Sequence, residues 1–529
     1  ILRTTDINYI TMENHISKLQ SPLLFLLAVC CFACTAQVSP EKQHDAPSAS
    51  RAEQIEALVS MYADYDQFNG AILVAKEGEV IYKKGFGMAN FEWNVPNTSD
   101  TKFRLASITK QFTACAVMQL VEAGKLDLSV PISTYLPEYP KKNGDKITLH
   151  HLMTHTSGIP NYTDIGDYQE QMDKSSSVDG LINRFKDLPL DFEPGKQFNY
   201  SNSGYVLLGA IIEFASEKSY EEFLQENIFD PLGMKDSGYD HNLRVLDKRA
   251  SGYFSFGRVM KNANYIDMST PFSAGALYST VEDMFLWDQA LYTDQLLSEV
   301  SRKLVFEKHV SQGNEFYGYG WDIDVIKAGG ITDLSKDVVA HSGFINGFNT
   351  RITRFIDDQS TVIVFNNTSG APLYHMTTAI AGILYDQDHI APKQAVANQT
   401  AILLEQEGIA KAKKYFNDYK YADNCYLDEG EMNMLGYGYL EEGNLEFANF
   451  IFELNKTEFH YSANTYDSYA EVQLALGNRE VAIKNYGISL QKNPENQNAI
   501  NVLTEMGVDI EELLEELLEE LGEELELDD

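Results

Sequence analysis

Two hairpins at opposite ends of a long helical stretch constrain this fold more than any other feature. Residues 71–75 and 80–82 are apolar runs flanking Lys76-Glu77-Gly78-Glu79. A glycine-bearing turn between such runs makes a β-hairpin. Residues 350–356 and 360–366 flank Asp357-Asp358-Gln359 in the same way, with 338–340 as a strand beside them. Between the hairpins, residues 110–122, 205–216 and 281–292 carry helical apolar spacing, as do residues 52–65 ahead of the first hairpin. Strands at both ends with helices between predict an α+β domain. The chain ends return to one antiparallel sheet flanked by helices.

After about residue 390 the strand pattern stops and a repeat begins. Leu440-Glu441-Glu442-Gly443-Asn444 is echoed 34 residues on by Leu474-Ala475-Leu476-Gly477-Asn478, Ala448 by Ala482, and Phe452 by Tyr486. Glycine at the turn, alanine where helices touch and an aromatic one turn later resemble tetratricopeptide repeats, which predicts an all-α repeat domain. Residues 401–419 read as a degenerate first unit. So few units are expected to dock on the preceding domain, and they offer a surface for a protein partner. From Asp509 onward there are twelve acidic residues and no basic one. Leu513, Leu514, Leu517, Leu518 and Leu521 fall on one helical face of this acidic amphipathic tail, 508–529. A capping helix, a frayed tail and a partner-binding helix all fit that pattern.

The first 36 residues read as an export signal with an upstream extension. Met12 and Lys18 precede an apolar run over 22–33, and Cys34-Thr35-Ala36 follow it. Basic, apolar, small is the order of a secretory signal. The apolar run is shorter than the roughly 20 residues that span a bilayer. Cleavage after Ala36, lipid attachment at Cys30, Cys31 or Cys34, and an uncleaved anchor are the alternatives. Each predicts the periplasm or cell envelope. A polar linker is expected over 37–55, the α+β domain over 56–390 and the helical domain over 391–507. The net charge of −37 disfavours nucleic acid and anionic membrane surfaces. Membrane contact is expected only through a lipid or an uncleaved signal. Cys115 and Cys425, the cysteines outside the signal, read as lone buried thiols. His151 and His155 lack the intervening glutamate of a metalloprotease helix, and Gly158 and Pro160 break any helix there. Neither a metal nor a cofactor is expected.

Three short segments carry chemistry. In Ser107-Ile108-Thr109-Lys110, which leads into an apolar helix, Lys110 lies one turn beyond Ser107 on the same face. Serine is a weak nucleophile, and a partly desolvated lysine can take its proton. In Tyr200-Ser201-Asn202, the phenol can share a proton with the lysine and the amide can both donate and accept. In His341-Ser342-Gly343, at a strand end, Gly343 permits close approach, and the Phe344 N–H, paired with that of Ser107, can hold a developing oxyanion. Singly, each has a bland reading: an N-cap serine with a surface lysine, an Asn helix cap, a structural histidine.

Together, in this order, they resemble the serine β-lactamase, D,D-peptidase and esterase superfamily, in its class C-like branch. Leu152-Met153-Thr154-His155-Thr156-Ser157-Gly158 and Tyr317-Gly318-Tyr319-Gly320-Trp321 fit the same resemblance, which covers about 56–386. It implies a β-lactamase/transpeptidase-like domain in which Ser107 forms an acyl-enzyme with a small-molecule or peptide substrate. Lys110 and Tyr200 would move protons, and Asn202 would orient the acyl side chain. His341 stands where β-lactamases and penicillin-binding proteins usually carry the lysine of Lys-Thr-Gly. Histidine is charged only in part near neutrality. That departure favours esterase-like or peptidase-like chemistry over β-lactam hydrolysis. The rival reading is a non-catalytic scaffold or penicillin sensor that uses the repeats for protein contact.

Overall fold

The computed structural model describes residues 49–256 and 259–527. The signal read over 1–36 and most of the linker lie outside the described residues. The first helix, α1 (Arg51–Asp64), opens on a capping box in which Ser50 and Glu53 satisfy each other's backbone N–H. It begins inside the stretch expected as linker, because Ile55, Leu58, Val59 and Tyr62 are buried and draw the whole helix onto the sheet.

That sheet has eight antiparallel strands. They are β1 (Gly70–Lys76), β2 (Glu79–Phe86), β3 (Val310–Gln312), β4 (Glu315–Tyr317), β5 (Asp322–Lys327), β6 (Ser335–Ile345), β7 (Phe348–Phe355) and β8 (Ser360–Asn366), in the order β3-β4-β5-β6-β7-β8-β1-β2. The first strand pairs with the last, Gly70 opposite Asn366, so the two hairpins lie side by side. Both faces of β1 and β8 are covered, which explains why they read as unbroken apolar runs. Ile72, Val74, Val362 and Val364 pack under α1 and α6 (Leu373–Leu384). Leu73, Ile363 and Phe365 belong to the larger core on the other face.

The larger core surrounds α2 (Thr109–Glu122), whose residues from Thr109 to Met118 are all buried. Around it lie α3 (Asn202–Ser216), the short α4 (Phe272–Gly275) and α5 (Val281–Ala290). A fully buried ion pair, Arg354 Nε to Asp288 Oδ1 at 2.7 Å, ties β7 to α5.

The helical region runs α7 (Val396–Glu407), α8 (Ile409–Tyr419), α9 (Glu429–Glu441), α10 (Leu445–Glu458), α11 (Ala463–Ala475), α12 (Arg479–Lys492), α13 (Gln497–Glu505) and α14 (Ile510–Leu527). Helices α9 and α10 recur as α11 and α12 at the expected spacing, with Gly443 and Gly477 at positive φ in the turns. Strand pairing does not stop entirely after 390, since Gln394–Ala395 and Cys425–Tyr426 form a short parallel pair. The acidic α14 packs on α12, where Leu517 fills the space that a Cβ on Gly487 would take. Leu518 is exposed, so the apolar stripe is narrower than its spacing suggests. Gln67 Nε2 donates to the Lys393 carbonyl at 2.7 Å, and Lys261 pairs with Glu441 at 3.0 Å, joining the two regions.

Candidate active site

Ser107 does not open α2. It sits in a 3₁₀ turn, Ala106–Ile108, two residues before the helix begins at Thr109. Ala106 holds a φ of 51°, an uncommon conformation for a residue with a Cβ. The turn is gripped from the sheet. Thr350 Oγ1 donates to the Leu105 carbonyl at 2.8 Å, and Gly343 lies against the same carbonyl. A Cβ at Gly343 would stand 2.1 Å from that oxygen and 2.4 Å from Thr350 Oγ1. What Gly343 admits is therefore the nucleophile turn itself.

Lys110 is completely buried. Its Nζ lies 3.0 Å from Ser107 Oγ, 2.8 Å from Asn202 Oδ1 and 2.9 Å from the Ala274 carbonyl. No carboxylate among the described residues pairs with it, and burial holds its pKa well below that of an ordinary lysine. The rings of Tyr200 and Tyr205 lie 4.8 and 5.4 Å from Nζ and favour a cation, but desolvation is the larger effect. A neutral amine has two N–H groups and one lone pair. The two obligate acceptors, Asn202 Oδ1 and the Ala274 carbonyl, take both N–H groups. The lone pair is then left facing Ser107, whose hydroxyl donates to it. That is the arrangement a general base requires.

Tyr200 is buried beside this pair. Burial pushes its phenol up, with the neighbouring Ser107 hydroxyl opposing, so it keeps its proton. No hydrogen bond of good geometry closes on its hydroxyl. Its ring is set by His155, whose tilted ring lies 4.2 Å away. His155 Nδ1 accepts from the Ser201 N–H at 3.1 Å, and its carbonyl accepts from the Asn199 N–H. Burial holds His155 well below the usual imidazole pKa. It is a neutral brace for Tyr200. His151 serves a different turn, capping Thr148 at the start of a short helix.

Asn202 holds Lys110 through its Oδ1. Its own N–H donates to Asn161 Oδ1 at 3.0 Å. Ser107, Asn202 and Phe344 all line a cleft of about 300 Å³. Phe344 is 65% exposed there.

His341 departs from expectation. It is 3% exposed, on the face of β6 that also carries Gly343. Its Nδ1 lies 2.6 Å from the Ser342 carbonyl, so that nitrogen carries the proton and donates. Its Nε2 accepts from the Tyr317 hydroxyl at 3.0 Å. Burial holds its pKa below the ordinary value, against the pull of Asp322. A neutral imidazole with both nitrogens engaged is not a partly charged anchor for a substrate carboxylate. Tyr317, His155 and the Ala274 carbonyl are parts of the site whose roles sequence reasoning missed. Tyr317 and His155 stood in segments tied to the family resemblance, which was the one available signal.

The site sets a serine hydroxyl 3.0 Å from a buried lysine amine, on a sheet-and-helix fold whose Ser107 turn lies against β6. The Beta-lactamase family matches residues 55–385, more than half of the chain, and the protein belongs to that family. It is 31% identical over 369 residues to penicillin-binding protein 4* of Bacillus subtilis, covering 65% of this chain and 78% of that one. It is 34% identical over 206 residues to esterase EstB of Burkholderia gladioli, covering 36% of this chain and 52% of the esterase. A penicillin-binding protein structure from Bacillus halodurans superposes with a TM-score of 0.55 at 31% identity, covering 62% of this chain and 98% of its own.

Proposed function

We propose that the protein hydrolyses an ester or amide of a small molecule or peptide through an acyl-Ser107 intermediate. The observation that carries this reading is the buried Lys110 amine, 3.0 Å from Ser107 Oγ and with no carboxylate partner among the described residues, its pKa held down by burial. Lys110 takes the hydroxyl proton as Ser107 attacks the carbonyl. Tyr200, still protonated, supplies a proton to the leaving group and is restored from Lys110. The N–H groups of Ser107 and Phe344 are assigned to the oxyanion. Water then attacks the acyl-enzyme. The names of the relatives, a penicillin-binding protein and an esterase, support acyl-serine chemistry of this kind. A neutral His341 leaves the cleft without the fixed cation of Lys-Thr-Gly, which favours neutral esters and amides. The order of residues 12–36 supports export to the cell envelope, and the helix pairs are read as tetratricopeptide-like units.

The test is labelling by a fluorophosphonate probe alongside ester turnover. Wild type should label at Ser107. Ser107→Ala should lose labelling and lower turnover by roughly 10⁴–10⁶-fold with the fold intact. Retention of a tenth of wild-type turnover by a folded Ser107→Ala protein would overturn the assignment.

A further inference from the structure

The catalytic cleft is not the only cavity that Phe344 lines. On its other side lies one of about 460 Å³, walled jointly by the β-lactamase-type domain and the helical region. Phe254 and Phe344 come from the first, and Tyr426, Glu431 and Met434 from the second. Among the described residues, no lysine or arginine lines it. Glu431 is held in place at one end. Its Oε1 accepts from the Tyr426 hydroxyl at 2.7 Å. Its Oε2 is buried and accepts a hydrogen bond from no described residue. A buried carboxylate oxygen without a donor is costly unless a donor arrives. Aromatic faces and a thioether around a carboxylate suit an ammonium group on an apolar body.

The geometry points to a second subsite here: the helical region completes the substrate site, and Glu431 receives an ammonium group on the end of the substrate remote from the scissile carbonyl. The apolar part of such a substrate passes over Phe344, the residue common to both cavities. This deepens the reading of the chain as an acyl-serine hydrolase and rests on it for the substrate's other end. It also gives the helical region a role beyond covering the sheet.

Two measurements on the full chain test it. The first needs no turnover. Phenethylammonium is titrated calorimetrically into wild type and Glu431→Gln. The glutamine keeps the Tyr426 contact through its carbonyl oxygen but removes the negative charge. Wild type should bind the amine and Glu431→Gln about tenfold more weakly. Equal binding, or none by wild type, overturns the subsite whatever becomes of Ser107. The second uses p-nitrophenyl ω-aminoalkanoates of increasing length beside equally long alkanoates. At one length the amino ester should gain about tenfold in kcat/KM over the alkanoate, and Glu431→Gln should erase the gain while leaving the alkanoate unchanged. Absence of preference at every length, or equal loss on both esters, overturns it. Absence of any Ser107-dependent turnover would instead strike the hydrolase reading and leave the titration to decide the subsite.

Discussion

At the scale of single residues, the site is built around one costly group. A lysine amine buried without a counter-ion is stable only when neutral. The unfolded chain returns it to water, where its ordinary pKa is 10.5. Below that pH the unfolded chain therefore binds a proton that the folded chain does not. The contribution of Lys110 to stability rises with pH from its lowered pKa up to the ordinary one, by about 1.4 kcal/mol per pH unit. Lys110→Met lacks it. The wild-type stability minus that of Lys110→Met, from urea unfolding at several pH values, should climb with that slope. A difference independent of pH means that the amine is charged when folded. The same amine sets the acid limb of activity, since turnover falls as pH drops through the lowered pKa and Lys110 is protonated. Ser107 and Lys110 were legible in the sequence because one helical turn separates them. The Ala274 carbonyl was not, because a backbone acceptor has no side-chain signature and this one comes from a distant segment. Asn202 was legible as a polar group but not as the partner of Lys110, for the same reason of distance.

At the scale of elements, β6 does two jobs that a residue-by-residue reading had merged. His341 and Gly343 share a face of the strand, with Ser342 and Phe344 on the other. Gly343 admits the nucleophile turn, and His341 locks Tyr317 behind Tyr200. The strand was legible from its apolar run and the glycine from its chemistry. The direction in which His341 faces was not, because it depends on Tyr317 coming from β4 two strands away. The expectation of a partly charged His341 therefore changes sign as a prediction. His341→Lys places an ammonium where both imidazole nitrogens are engaged, so kcat/KM should fall by roughly tenfold or more on matched esters with and without a carboxylate. Wild type should show no carboxylate preference that grows from pH 8 to pH 6. A gain by the carboxylate ester alone in His341→Lys would restore the electrostatic role. Gly343→Ala offers an independent check. Its Cβ meets the Leu105 carbonyl and Thr350, so turnover should drop by about 10²-fold as the nucleophile turn is displaced. Wild-type turnover in Gly343→Ala would mean that the turn accommodates the methyl group.

At the scale of the whole molecule, the sheet-bearing domain and the helical region have separate apolar cores. The two clusters around the sheet end at Leu384, and the helical clusters begin at Val396. The link between them includes the Gln67–Lys393 hydrogen bond, the exposed Lys261–Glu441 pair, which contributes little on its own, and the cavity walled jointly by Phe254 and Met434. Each core can therefore form without the other. Ser107, Lys110, Tyr200, Asn202, His341, Gly343 and Phe344 all precede that link. A chain ending at Lys393 should fold and hydrolyse a short neutral ester within about threefold of wild type, because none of the groups that move protons is removed. Its melting temperature should fall, since Phe254 and the α1 end of the sheet lose their cover. It should also bind phenethylammonium no better than Glu431→Gln does. Separating the readouts decides what the helical region is for. Neutral-ester turnover kept with amine binding lost makes it a specificity element. Both lost in a soluble, folded truncation would mean that it holds the catalytic groups in register.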